Sequence, residues 1–205
     1  MPKVILHVKN HPPDFDYENA SYQHENQAFG YFETLNQWHR DAQEDSLAWE
    51  TLEENSLDSL SPEEIGRRLW TTYRELDKQW QDEHNRKGTI CNAGTTASTT
   101  IYDGKGNLIT ATLADAASFA AVYSSDNQLL GVVRLNSVTH KPTDKTEELR
   151  INRAGGYVSF VNGVGRVCKQ LAVSRAIGDN NLKNVGVCSE STIDITDING
   201  LAQTK

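Results

Sequence analysis

One long amphipathic helix followed at once by two hairpin signatures leaves this chain few architectures. Ser61 has the chemistry of an N-cap, Pro62 stands at the first helical position, and Glu64 falls where a capping box places its carboxylate. Ile65, Leu69, Tyr73, Leu76 and Trp80 then recur at intervals of three and four, one apolar stripe that runs out near Lys87-Gly88. Beyond it, Thr95 to Ile101 and Leu108 to Leu113 flank the turn cluster Asp103-Gly104-Lys105-Gly106-Asn107, which is hairpin composition. Phe119 to Tyr123 and Leu129 to Leu135, joined through Ser124-Ser125-Asp126-Asn127, repeat the pattern. A second helix is expected over Asp144 to Ala154, stopped by Gly155-Gly156. Consecutive hairpins build an antiparallel sheet, and the long helix can cover one of its faces. The order therefore reads as α+β rather than alternating βαβ units.

The N-terminal stretch is less regular. From about residue 8 to 30, polar residues with scattered aromatics such as Phe15 and Tyr17 follow neither the helical nor the strand period. Residues 1–28 are read as an irregular arm and 29–205 as the folded domain. Phe29 to Leu35 alternates as a strand, and Asn36 to Ser46 is a polar connection. The acidic residues from Glu44 through Glu64 are read as a solvated loop.

Charge and composition exclude several classes of function. With 20 Lys and Arg against 28 Asp and Glu over 205 residues, the net charge of −8 opposes binding driven by phosphate neutralisation, so no nucleic-acid partner is expected. No stretch approaches the ~18 apolar residues of a membrane span, and Met1 to His7 lacks a signal-peptide core; a soluble, cytoplasmic protein is expected. Cys91, Cys168 and Cys188 are odd in number and without C-x-x-C spacing, so they read as reduced thiols. Of the histidines only His7 and His11 are four apart, and Pro12-Pro13 opposes a helix that would align them on a zinc ion. Ser174 sits in no G-x-S-x-G elbow, and Gly163-Val164-Gly165 lacks the third glycine of a dinucleotide loop.

The second half carries a linked set of motifs. Leu171-Ala172-Val173-Ser174-Arg175-Ala176-Ile177-Gly178-Asp179 with Leu182-Lys183 is the longest. Upstream lie Arg166-Val167, and before that His140-Lys141-Pro142 with Glu147, Arg150-Ile151 and Ala154-Gly155-Gly156-Tyr157-Val158. Gly94-Thr95-Thr96-Ala97, the segment Ala111 to Ala121 containing Asp115, and Arg40-Asp41-Ala42-Gln43-Glu44-Asp45-Ser46 complete the series. In this order the motifs resemble the metal-dependent protein phosphatases, the PPM or type 2C serine/threonine phosphatases, from residue 30 to about 195. Departures occur at Thr139, where the family has Asp, at Cys168-Lys169, where it has Asn-Gly, and at Ala114, Ala116 and Ala117, where it has Gly, Ser and Arg.

The resemblance implies an antiparallel β-sandwich flanked by helices, here incomplete at the C-terminus. It also implies a cleft holding two Mg²⁺ or Mn²⁺ ions that activate water for attack on a phosphoserine or phosphothreonine ester. By motif Arg40 would grip the substrate phosphate, Glu44 would serve one metal, and Asp115 would serve an additional ion; no catalytic side chain beyond these is assigned. Hard divalent ions need several oxygen ligands at once. Ser46 to Ser61 contains no Asp-Gly pair for the family's bridging aspartate, and Asp103-Gly104 reads as turn chemistry. The family's late aspartates would fall beyond Lys205. The reading is a phosphatase-like protein with an impaired metal site, a pseudophosphatase or truncated product, whose partner would be a phosphoprotein or another protein. Two alternatives stand beside it. One is an active Mn²⁺- or Mg²⁺-dependent phosphatase that recruits Asp45, Glu50, Glu53, Glu54 or Asp58 as ligands; the other is an interaction module without catalysis. Removing sheet strands would leave edges uncovered, with marginal stability or a need for a partner.

Overall fold

The structure, a computed structural model, describes residues 4–7, 18–24, 27–33, 59–88, 92–124 and 126–201. Three strands precede the long helix: β1 (Val4–His7), β2 (Glu18–His24) and β3 (Gln27–Glu33). The first helix, α1 (Pro62–Arg86), is followed by β4 (Gly94–Thr95), β5 (Ala97–Tyr102), β6 (Asn107–Leu113), β7 (Phe119–Tyr123) and β8 (Leu129–Arg134). Next come α2 (Lys145–Arg153), the hairpin β9 (Val158–Val161) and β10 (Val164–Val167), and β11 (Ile177–Gly178). A 3-10 helix (Asn180–Val185), β12 (Thr192–Asp197) and the short α3 (Ile198–Leu201) close the series.

Both expected hairpins form. β5 and β6 pair antiparallel, with Thr99 opposite Ala111, and β12 adds to the far side of β6, giving the order β12-β6-β5. Asp103 performs the turn chemistry expected of it: its carboxylate accepts from Lys105 N at 2.8 Å, Asn107 N at 2.9 Å and Asn107 Nδ2 at 2.7 Å. β7 and β8 form the second hairpin, and β1 joins the other edge of β7, giving β1-β7-β8. Leu108 of β6, Ala120 of β7 and Leu135 pack in one cluster, so the two three-stranded sheets share a core.

α1 starts as its residues dictate. The Ser61 hydroxyl accepts from Glu64 N at 3.2 Å. The reciprocal half of the capping box gives way to ion pairs, because Glu64 turns its carboxylate to Arg67 and Arg68. The helix lies on β6 and β12, with Ile65 buried and Tyr73 packed against Ala111, Leu113 and Ile193. Gly66 permits the close approach, since a Cβ there would stand 2.6 Å from Ile193 Cγ2. The expected apolar stripe holds only to Tyr73. Leu76 and Trp80 are 45% and 41% exposed, while Asp77 is buried. The contact face rotates after Tyr73 to follow i, i+4, and at Asp77 a polar anchor replaces an apolar one.

A third core lies beneath α2, where Ile151, Val167, Ala176, Leu182 and Val187 pack together. α2 occupies the expected segment, and Gly155 after it takes φ +86, the left-handed value its glycine permits.

The N-terminal region differs from its reading as an irregular arm. β2 pairs with β3 over its whole length, Tyr22 opposite Phe29 and Ala20 opposite Tyr31, so the boundary placed at 28 falls inside β3. Asn19, Ser21 and Gln23 alternate with Ala20 and Tyr22, but two apolar residues are too few to make the period-two pattern stand out, while cross-strand pairs need only one face to be suitable. β3 also begins earlier and ends earlier than the expected Phe29–Leu35.

Candidate functional site

β6 delivers its last residues into a turn that carries Asp115. Ala114, buried, has φ +67, a left-handed conformation for which glycine is the unstrained choice. This is the position at which the family has Gly, so the substitution falls where a side chain is strained. The turn is held by the protein itself. His140 N donates to the Ala114 carbonyl at 2.7 Å, and Ser118 N donates to Asn136 Oδ1 at 3.2 Å. Asn136 Nδ2 in turn donates to the Val138 carbonyl at 2.8 Å and reaches the Ala116 carbonyl at 3.5 Å. Asp115 is exposed at the tip.

The segment after β8 lies over β12. His140 Nε2 and the Thr192 hydroxyl share a 2.8 Å hydrogen bond, and Ser137 N donates to Asp194 Oδ2 at 3.1 Å. His140 is buried, with Nδ1 unpartnered among the described residues. Burial, reinforced by the positive charge of Arg175, pulls its pKa down to about 4, against the attraction of Glu147. At neutral pH the imidazole is uncharged.

Next to it lies a buried ionic network. Glu147 accepts from Arg175 Nε at 3.0 Å and Nη2 at 2.5 Å, from Arg150 Nη2 at 2.7 Å and from Ser174 Oγ at 2.6 Å. Burial alone would raise this carboxyl; the hydrogen bonds from Arg175, Arg150 and Ser174 win and hold it at about 2. Arg175 continues to the Glu190 carbonyl and Arg150 to the Ser174 carbonyl. This network ties α2 to the Ser174-Arg175 segment and to the strand entry at β12; its chemistry is architectural.

A second buried pair was not foreseen from sequence. Asp77 Oδ1 of α1 accepts from Gly178 N at 2.8 Å and meets Lys183 Nζ at 2.9 Å. Asp179, at φ +51, lies against it, and its carboxyl is raised by burial, with Lys183 opposing and Asp77 adding to the effect. Its side chain occupies the space where Gly94 lacks one: a Cβ on Gly94 would stand 2.1 Å from Asp179 Oδ2. A charged residue on the apolar side of α1, four places after Tyr73, was the available signal for Asp77.

Of the three site residues expected from sequence, Asp115 is placed at the turn described above, while Arg40 and Glu44 lie outside the described residues. Asp45, Glu50, Glu53, Glu54 and Asp58 lie outside them too. Among the described residues no three His, Cys, Asp or Glu side chains converge on a point where a metal ion could be held. Asp115 alone does not fit a pair of Mg²⁺ or Mn²⁺ ions, which demand near-octahedral oxygen sets. No described helix is long and apolar enough to cross a membrane. Cys168 and Cys188 are free thiols.

The sequence profile of the family described as Protein phosphatase 2C matches residues 13–203. This chain belongs to the protein phosphatase 2C family. Its similarity to individual members is partial. It is 34% identical over 127 residues to a probable protein phosphatase 2C 2 of Arabidopsis thaliana, a stretch covering 62% of this chain and 30% of that protein. With the integrin-linked kinase-associated serine/threonine phosphatase 2C of Bos taurus it shares 32% identity over 133 residues, 64% of this chain and 34% of that protein. The chain thus spans about a third of the length of these curated relatives. In three dimensions it resembles the crystal structure of a serine-threonine phosphatase 2C from Toxoplasma gondii, with a TM-score of 0.59 and 22% identity, covering 72% of this chain and 51% of that one. That likeness is one of fold: the type 2C α+β architecture of antiparallel sheets and flanking helices.

Proposed function

We propose that this type 2C family member is a protein serine/threonine phosphatase-like protein with an impaired metal site, a pseudophosphatase that engages phosphoserine or phosphothreonine proteins without hydrolysing them. The observation that carries the reading is the isolation of Asp115. It projects from a turn closed by His140 and Asn136, with alanines on both sides, and belongs to no described group of three or more His, Cys, Asp or Glu side chains that could hold a metal ion. The sequence between Glu44 and α1 adds support, since Ser46 to Ser61 holds no Asp-Gly pair for a bridging ligand. Arg40 retains the fork chemistry suited to phosphate, and Glu44 is a single carboxylate toward Mg²⁺ or Mn²⁺. Reduced thiols and the acidic, polar composition favour the cytoplasm as its location.

The test is calorimetric titration with Mn²⁺ and Mg²⁺ alongside hydrolysis of a phosphothreonine peptide, on the natural chain and on Asp115→Ala. Weak metal binding, no turnover and the same result in the variant are expected. Tight binding with turnover that disappears in Asp115→Ala would replace this reading by that of an active metal-dependent phosphatase.

A further inference from the structure

We propose that the groove between α1 and the segment entering β12 is a phosphoryl-binding site, built on Arg74 and Lys78, that takes the phosphorylated side chain of a peptide. It shares no residue with Arg40, Glu44 or Asp115 and does not depend on the state of a metal site. The groove has a volume of about 340 Å³ and is lined by Arg74, Glu75, Asp77, Lys78 and Gln81 of α1 and by Ser189 from the segment before β12. That is the size of a small-ligand site, with room for a phosphorylated side chain and not merely for a lone ion.

The charges of α1 single out two cations. Glu64 pairs with Arg67 at 2.7 Å and Arg68 at 3.1 Å, and Glu83 pairs with Arg86 and Lys87, each at 2.7 Å. Arg74 and Lys78 have no carboxylate partner among the described residues. Four residues apart, they are neighbours on one face, and like charges so placed destabilise a helix unless an anion sits between them. Helical side chains lean toward the N-terminus, which carries Lys78 toward Arg74 rather than toward Asp82. Arg74 is already oriented: its guanidinium lies over the Trp70 ring, 4.4 Å from the centroid. Stacking through the face leaves free the in-plane N–H groups, which can grip two phosphate oxygens at once. The carboxylates of the groove do not cancel this charge. Asp77 is neutralised by Lys183 and accepts from Gly178 N and Gln81 Nε2. Glu75 is left as the one open carboxylate of the lining against two cations. A tetrahedral dianion reaches both cations through separate oxygens, whereas a carboxylate brings only one charge.

Fluorescence anisotropy of a labelled phosphothreonine peptide with uncharged flanks, titrated with the whole chain in EDTA so that no ester is cleaved, tests this. Saturable binding is expected, absent with the unphosphorylated peptide and competed by inorganic phosphate only at much higher concentration. Arg74→Gln and Lys78→Gln, both at exposed positions, should each raise Kd by about fivefold with an unchanged melting curve, and Glu75→Gln should lower it. In an Arg40→Gln background, which removes the other residue suited to phosphate, binding and its dependence on Arg74 and Lys78 should persist. Binding that disappears in Arg40→Gln and ignores Arg74→Gln and Lys78→Gln would assign the phosphoryl group to Arg40 alone and overturn the groove. No binding, equal affinity for the two peptides, or a Glu75→Gln variant that binds no better would overturn it too.

Discussion

His140 gives the protein a sensitivity to mild acid that can be isolated by one substitution. The residue is 3% exposed and its Nε2 is committed to Thr192; burial first, then the charges of Arg175 and Arg150, disfavour the protonated ring, against the opposing pull of Glu147 and the Ala114 backbone. The ordinary histidine pKa of 6.5 falls to about 4 in the folded chain. Between these values the unfolded chain binds one proton more than the folded one. Stability is therefore fully present above pH 6.5 and falls as the pH is lowered toward 4, with a limiting slope of about 1.4 kcal/mol per pH unit. Between pH 6.5 and 4.5 the loss from this residue should be about 2 kcal/mol. Glu147 does not blur this window. Its carboxyl is depressed from 4.5 to about 2, so its contribution is intact above about pH 4.5 and declines only below that. Asp179, raised by burial, works in the opposite sense and cancels when two variants are compared. The assay is urea unfolding of the natural chain and of His140→Gln at intervals of half a pH unit, with the imidazole C2–H followed by NMR. The expected result is a pH slope that shrinks by about 2 kcal/mol over the window in the variant. Identical slopes in the two proteins, or an imidazole titrating near 6.5, would refute the argument.

Three further predictions follow from packing and backbone geometry. Thr112 is fully buried and its hydroxyl has no partner among the described residues, so Thr112→Val should raise the urea midpoint by an amount worth about 1 kcal/mol; a drop would mean the hydroxyl is bonded. Gly94→Ala puts a methyl 2.1 Å from Asp179 Oδ2 and 2.9 Å from Asp179 N, and a loss of about 1–3 kcal/mol is expected in a thermal melt; an unchanged melt would show that Asp179 moves aside freely. Cys168 and Lys169 both take positive φ, +49 and +64, between β10 and Leu171, whereas the turn from β9 to β10 meets the same demand with Asn162 and Gly163, residues suited to it. Because Lys169 is exposed, Lys169→Gly trades strain against chain entropy and should gain about 0.5 kcal/mol in denaturant unfolding, with a loss counting against strained backbone at this turn.

What could be read from the sequence, and what could not, separates along one physical line. The elements recognised in advance, α1, α2 and the hairpins β5–β6 and β7–β8, carry their own signal: a cap, a period, a turn residue at each end. β1, β2, β4 and β12 are defined by partners distant in sequence or by one suitable face, and a short polar strand such as Glu18–His24 offers only a faint alternation to detect. The same division governs the candidate site. The Asp115 motif was visible, and so was the substitution of Ala for Gly beside it, but only the backbone assigns Ala114 a positive φ, where that substitution is strained. Asp77 illustrates the converse. On a helical wheel it interrupts an apolar stripe and looks like an error in the pattern, yet Gly178 N and Lys183 converge on it from a segment about a hundred residues away. A charge on the wrong side of an amphipathic helix is best read as a buried anchor whose partner is still to be found, and in this chain the partner lies in the longest family motif. The family motifs around Glu147, Ser174, Arg175, Asp179 and Lys183 therefore encode how helices are fastened to sheets. Because folding alone requires them, they persist whatever becomes of a metal site, and that is why the family is so legible here.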